Sequence, residues 1–178
     1  VLDTATHTGI PQRRERLFIV ATHSDTFRRN SFESDTTPQH SAQPLSNYID
    51  KREEKDAKYY VPVTNKYGRM LHEAVKRYGD DRLYQVRRSD IRPCGVGICP
   101  TLTANMGRGG HNVPFLSDAW GVRRLTVQEC LRLQGFRLGE FDFPDGIIDS
   151  ERYEMIGNAV TVDAAQIVFQ AVTDTVFQ

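Results

Sequence analysis

Net charge is what this chain most plainly lacks: 23 Lys and Arg balance 23 Asp and Glu. Bulk electrostatics therefore single out no polyanionic partner. Cysteine is equally sparse. Cys94, Cys99 and Cys130 make an odd count, which excludes a paired disulfide framework and suits a reducing cytoplasm. No second Cys or His pair stands near Cys94 and Cys99 at a zinc-like spacing, so no metal is expected. No uninterrupted apolar run reaches the roughly 20 residues that span a bilayer, and the N-terminus reads as no signal peptide, so no membrane role is expected.

What is present is local. Arginines gather at Arg13, Arg14 and Arg16, at Arg87, Arg88 and Arg92, at Arg108, and at Arg123 and Arg124. Such patches can hold phosphate on a chain that is neutral as a whole. Hydrophobic content of 39% and 178 residues allow one domain, or one and a half small ones.

Near the N-terminus, Gly9-Ile10-Pro11 forces a turn ahead of Gln12-Arg13-Arg14-Glu15-Arg16. The following run, Leu17 to Ala21, is continuously apolar and predicts a strand buried on both faces. In extended chain Gln12, Arg14 and Arg16 share one side, a fork suited to a phosphate or base edge. A solvated charged face on an edge strand gives the same pattern. Residues 23–43 lose all periodicity and read as loop. Lys66 to Tyr78 has helical spacing and stops at Gly79-Asp80, and Leu83 to Arg87 reads as a strand. From Arg92 to Leu116 turn residues dominate. The loop Met106-Gly107-Arg108-Gly109-Gly110-His111 would let backbone approach a ligand while one cation reaches past it; a plain surface loop fits as well.

Thr126 and Glu129 have the spacing of a capping box, predicting a helix that Gly135 ends, with Cys130 as a core thiol rather than a nucleophile. Near the C-terminus, Ile156-Gly157-Asn158-Ala159-Val160 separates two helical patterns. The pair Gly157-Asn158 is expected to end the first helix and leave an Asn side chain beside the start of the second, at Thr161.

In this order the pieces Gly9–Arg16, Arg123-Arg124-Leu125-Thr126 through Gly135-Phe136, and Ile156–Val160 resemble motifs VIII, IX and X of the DNA cytosine-5 methyltransferases. Pro100-Thr101-Leu102-Thr103-Ala104 falls where that family carries a Thr-Leu pair in its target-recognition region. The family's Phe-x-Gly-x-Gly methyl-donor loop, its catalytic Pro-Cys-Gln and its Glu-Asn-Val segment have no counterpart in this sequence; Pro93-Cys94-Gly95 lacks the Gln and lies in the recognition region.

The resemblance implies an α/β fold: a partial Rossmann-like methyltransferase domain with a small mixed α+β target-recognition domain. It implies a catalytic-domain strand and pocket segment at 1–22, the recognition domain at 23–120, and a return to the catalytic domain at 121–178. It implies transfer of a methyl group from S-adenosylmethionine to C5 of a flipped cytosine, with a larger partner chain carrying motifs I to VII, the attacking Cys and most of the cofactor site. It places Gln12, Arg14 and Arg16 in the catalytic pocket and Asn158, Ala159 and Val160 at the methionine end of the cofactor. Double-stranded DNA would meet Thr101, Leu102, Arg108, Gly109, Gly110 and Arg123, the last bracing two domains with phosphate contact left open. A bacterial-type, nucleoid-associated setting follows. An eroded DNA-binding module and a fragment of one longer methyltransferase remain as alternatives.

Overall fold

The computed structural model describes residues 1–21, 39–108 and 112–176. A short N-terminal unit comes first. β1 (Leu2–Asp3) leads into α1 (Thr4–Thr8), whose N-cap Asp3 accepts from Thr6 N, and β2 (Glu15–Arg16) returns antiparallel to β1. α2 (Lys66–Tyr78) begins at Asn65, which accepts from Gly68 N, and buries Leu71 and Ala74.

Four strands follow: β3 (Arg82–Arg87), β4 (Asp90–Val96), β5 (Phe115–Asp118) and β6 (Gly121–Arg124). They form an antiparallel sheet in the order β4-β3-β5-β6. Period-two alternation sorts its side chains. Tyr84, Val86, Ile91, Phe115 and Val122 pack under α2 on one face. Leu83 and Leu116 turn to the larger core on the other, which also takes Ile10, Leu102, Leu131 and Ile156. α3 (Val127–Leu133), α4 (Asp149–Asn158) and α5 (Val162–Val176) complete the chain. The fold class is α/β, as expected.

Several expectations change on contact with the structure. The strand expected at Leu17–Ala21 does not form; β2 stops at Arg16, and Leu17 and Ile19 stand 69% and 83% exposed. An apolar run becomes a doubly buried strand only where neighbouring strands supply hydrogen bonds and cover, and no described residue does so here. The turn-rich stretch from Arg92 holds part of β4, and the approach to α3 holds β6; both are stabilised by pairing across the sheet that local periodicity does not show. The border expected at 120–121 therefore falls inside the β5–β6 hairpin.

The pair Gly157-Asn158 does close α4, which ends at Asn158. Gly157 lies inside the last turn and has no positive φ. A Cβ there would sit 2.1 Å from the carbonyl carbon of Thr103, so its hydrogen lets α4 lie against the backbone entering the 3-10 turn Ala104–Gly107. Gly107 makes the reciprocal approach, 2.5 Å from Ser150 O for the same imagined atom. By length and apolar composition alone, Asp149–Asp174 passes for a membrane span. It consists of two helices, broken where Ala159 turns extended.

Candidate functional site

Residues 11–13 run alongside Cys99 in a parallel bridge, with Cys99 N donating to Pro11 O at 2.7 Å and Arg13 N to Cys99 O at 2.9 Å. This extended geometry turns Gln12 and Arg14 inward and leaves Arg13 outside. Gln12 accepts from Leu102 N at 3.1 Å and donates through Nε2 to Leu133 O at 2.7 Å. Arg14 reaches further: Nη1 donates to Leu102 O at 2.6 Å, and Nη2 to Ala159 O at 2.5 Å and Gly157 O at 3.3 Å. Burial, then the charge of Arg16, draw the Arg14 guanidinium down to about 10, which leaves it cationic at neutral pH. One side chain thus ties three remote stretches together: residues 12–16, 101–103 and 157–160.

The break between α4 and α5 is held from below as well. Gln134 donates to Ile156 O at 2.8 Å, accepts from Thr161 Oγ1 at 3.0 Å, and receives Val162 N at its own carbonyl at 2.9 Å. The hydroxyls of Thr161 and Thr4 lie 3.2 Å apart in the buried layer beneath. On this fixed backbone Asn158 and Val160 are exposed and Ala159 half-buried.

Sequence-predicted residues therefore separate. Arg16 is exposed, its Nη1 resting on Glu15 O at 2.7 Å, away from the buried Gln12 and Arg14. The expected three-pronged fork is corrected to one exposed guanidinium and two internal braces, because β2 ends and its alternation lapses at Arg16. Thr101 Oγ1 donates to Arg13 O at 2.6 Å. Leu102 is wholly buried in the main core, so its side chain offers nothing to DNA. Arg108 is exposed, whereas Gly109 and Gly110 lie outside the described residues.

For Arg123 it is the phosphate contact left open above that is corrected, not the bracing. It is fully buried, with Nε on Asp118 Oδ2 at 2.7 Å and a two-pronged pair to Glu129 at 2.8 and 2.9 Å. Burial draws its pKa down, but the Glu129 and Asp118 carboxylates outweigh that, and the net shift is upward. A further bond to Asp50 O at 2.9 Å leaves this guanidinium no open side for a phosphate.

The thiols carry a negative result of value. Cys99 and Cys130 are fully buried and burial pushes both well above the ordinary thiol range, while burial lifts Cys94 to about 11. All three shifts run away from the thiolate, the form in which a thiol attacks.

A cleft of about 470 Å³ opens between the outer part of β3–β4 and the Pro100–Asn105 segment. Arg13, Arg87 and Arg92 line it with Gln85, Asn105 and Asn112, and among the described residues no carboxylate does. Arg87 and Arg92 belong to a cluster visible in the sequence. Their convergence with Arg13 requires the sheet and was not predicted. The one local signal is Gln85 and Arg87 on the side of β3 that begins with buried Leu83, against apolar Tyr84 and Val86 on the other.

A family model described as C-5 cytosine-specific DNA methylase matches residues 1–174. The chain is 34% identical over 163 residues to the Type II methyltransferase M.Bsp6I of Bacillus sp. (strain RFL6), covering 91% of this chain and 50% of that protein. It is 29% identical to the Type II methyltransferase M.HpaII of Haemophilus parainfluenzae, over 89% of this chain and 45% of that one. The fold resembles the Entamoeba histolytica methyltransferase EhMeth, with a TM-score of 0.53, 16% identity, and coverage of 93% of this chain and 50% of that one. The S. pombe Dnmt2 methyltransferase gives a TM-score of 0.52 at 15% identity, over 93% and 52%. The chain spans about half the length of the relatives it matches. It belongs to the C-5 cytosine-specific DNA methylase family.

Proposed function

We propose that this chain is the DNA-recognition and site-completing half of a DNA cytosine-5 methyltransferase, and that a second polypeptide supplies the nucleophilic cysteine and most of the S-adenosylmethionine site. The observation that carries this reading is the Arg14 node. It fixes the 12–16 segment, the Thr101–Thr103 segment and the Asn158–Val160 break as one unit, while Arg16, Asn158 and Val160 stay exposed. On this reading the chain alone is inactive, because its sequence carries no Pro-Cys-Gln and its three thiols are not placed as nucleophiles.

The residues present fit one end of the cofactor. The Asn158 amide can bond a carboxylate and the Val160 methyls can cover a short aliphatic stem, both on a backbone already held by Arg14 and Gln134. S-adenosylmethionine, when bound, provides the electrophilic methyl group. Arg16 contributes a guanidinium that can hold a flipped cytosine's carbonyl oxygen or the neighbouring phosphate. Gln12 and Arg14 act as positioning residues beneath it. Residues 39–124 form the unit that meets DNA; 1–21 and 125–176 join the partner's sheet. The names of the relatives M.Bsp6I and M.HpaII point to a Type II methyltransferase role, and the setting that goes with this reading is a bacterial cytoplasm.

Native mass spectrometry of the chain drawn gently from its source cells tests this reading. The expected result is a stoichiometric second polypeptide containing Pro-Cys-Gln and Phe-x-Gly-x-Gly. A monomer that binds DNA would instead support the inactive module, and a longer intact mass the single-chain enzyme. In the assembled pair, Arg16→Ala is expected to abolish methylation and spare duplex binding. Equal loss of both removes Arg16 from the pocket.

A further inference from the structure

The arginine cleft has an order beyond its charge. Gln85 and Arg92 are direct cross-strand partners on β3 and β4, and Arg87 lies two residues along β3 from Gln85, so all three share one side of the sheet. Arg87 Nη2 donates to Gln85 Oε1 at 3.0 Å, which fixes the orientation of the guanidinium fork. Arg13, on the segment paired with Cys99, lines the same cleft, as do Asn105 and Asn112.

None of Arg13, Arg87 and Arg92 has an ion-pair partner among the described residues, and Cys94 between them stays protonated. Three uncompensated cations facing one cleft call for an electronegative occupant. A simple phosphate trap needs only charge. A guanidinium held in plane by an amide is arranged for two parallel hydrogen bonds, the geometry that matches O6 and N7 of guanine in the major groove.

We propose that Gln85, Arg87 and Arg92 form a base-reading face in which Arg87 reads a guanine, Gln85 holds it in plane, and Arg92 with Arg13 clamps the adjoining backbone. This rests on the DNA role proposed above. It places sequence choice on a rigid strand face rather than on the glycine-rich loop at 107–110.

The test is selection from a randomised duplex library by the full chain, alone and with its co-purified partner, followed by affinity measured against salt. Arg87→Lys keeps the charge and loses the fork. Discrimination at one guanine position should fall about tenfold or more, with the salt slope as in the wild type. Gln85→Met, which releases the fork, should erode the same position. Circular dichroism and the thermal midpoint confirm that these surface variants fold.

The inference is overturned if Arg87→Lys and Gln85→Met select the same sequences as the wild type. It is also overturned if Arg87→Ala weakens all sequences alike with the salt slope reduced by about one, which marks a phosphate contact. A wild-type chain that selects no sequence, alone or assembled, would overturn the DNA role itself, and would do so before any substitution is made.

Discussion

Arg14 and Arg123 are both buried guanidiniums, held in different ways. Arg14 meets backbone carbonyls through Nη1 and Nη2, while its buried Nε has no hydrogen-bond partner among the described residues. Arg123 meets Asp118 and Glu129, whose side chains are as fully buried as its own. Glu129 has further work: it accepts from Asp50 N at 3.1 Å and Thr126 N at 2.8 Å, so one carboxylate joins the loop at 50, the strand β6 and the start of α3. Arg123→Met strands two carboxylates in the interior. It should lower unfolding free energy by about 3–5 kcal/mol, read as a lower urea midpoint. A loss below about 1 kcal/mol would mean the triad is not buried in solution.

The thiols make a prediction of their own at this scale. The Cys94 thiol ordinarily titrates near 9.0, but in the folded chain burial raises it to about 11. Between those values the folded state holds a proton that the unfolded state has released. Stability is therefore complete below about pH 9 and declines as pH rises toward 11. Cys99 and Cys130 shift in the same direction, and the Tyr153 hydroxyl, also raised by burial, adds to the loss at higher pH. Urea unfolding at about pH 8 and about pH 10 should show a clear decrease. A flat or rising profile contradicts the burial of these groups.

Among the elements, the contact of α4 with the turn Ala104–Gly107 decides how the Asn158–Val160 break is presented. Gly157→Ala places a methyl 2.1 Å from Thr103 C and 2.2 Å from Ala104 N, both backbone atoms that cannot swing aside. The helix must lift, at a cost of about 1–3 kcal/mol. Because Arg14 bonds the carbonyls of Gly157 and Ala159, the displacement carries into the break itself. The variant should melt lower, and in an assembled enzyme should weaken cofactor binding more than DNA binding. The reverse order would separate Asn158 and Val160 from the cofactor.

Helices whose ends are marked in the sequence were legible to the residue. α2 spans Lys66–Tyr78 as its spacing implies, and Thr126 and Glu129 form both bonds of the capping box. Those signals are local, so tertiary context had little to overrule. Strands β4 and β6 were missed although each pairs with the strand just before it in a tight hairpin: β6 is only four residues long, and β4 is broken up by Pro93 and Gly95. The candidate site was legible in its segments but not in its orientations. Spacing put Gln12, Arg14 and Arg16 on one side of an extended chain; only packing shows that two turn into the core and one does not. Leu102 and Arg123 looked available for the same reason.

For the molecule as a whole, exposed apolar side chains are concentrated at the two chain regions that the family resemblance assigns to the catalytic domain. Leu17, Ile19 and Val20 stand open after β2, and Val160, Val162 and Phe169 are open at and beyond the helix break. β1 and β2 pair only with each other among the described residues, which leaves strand edges as well as apolar surface for an added sheet. If the partner's sheet continues from this edge, a charge placed on either patch must be desolvated on assembly and has no counter-ion waiting. Ile19→Asp and Phe169→Asp should each weaken association with the second polypeptide by at least about tenfold, measured by sedimentation of the mixed chains. Both positions are 71% or more exposed, so neither change should disturb the circular dichroism or thermal midpoint of the isolated chain. Association that survives both substitutions would move the interface away from these patches, and with it the assignment of residues 1–21 and 125–176 to a shared catalytic domain.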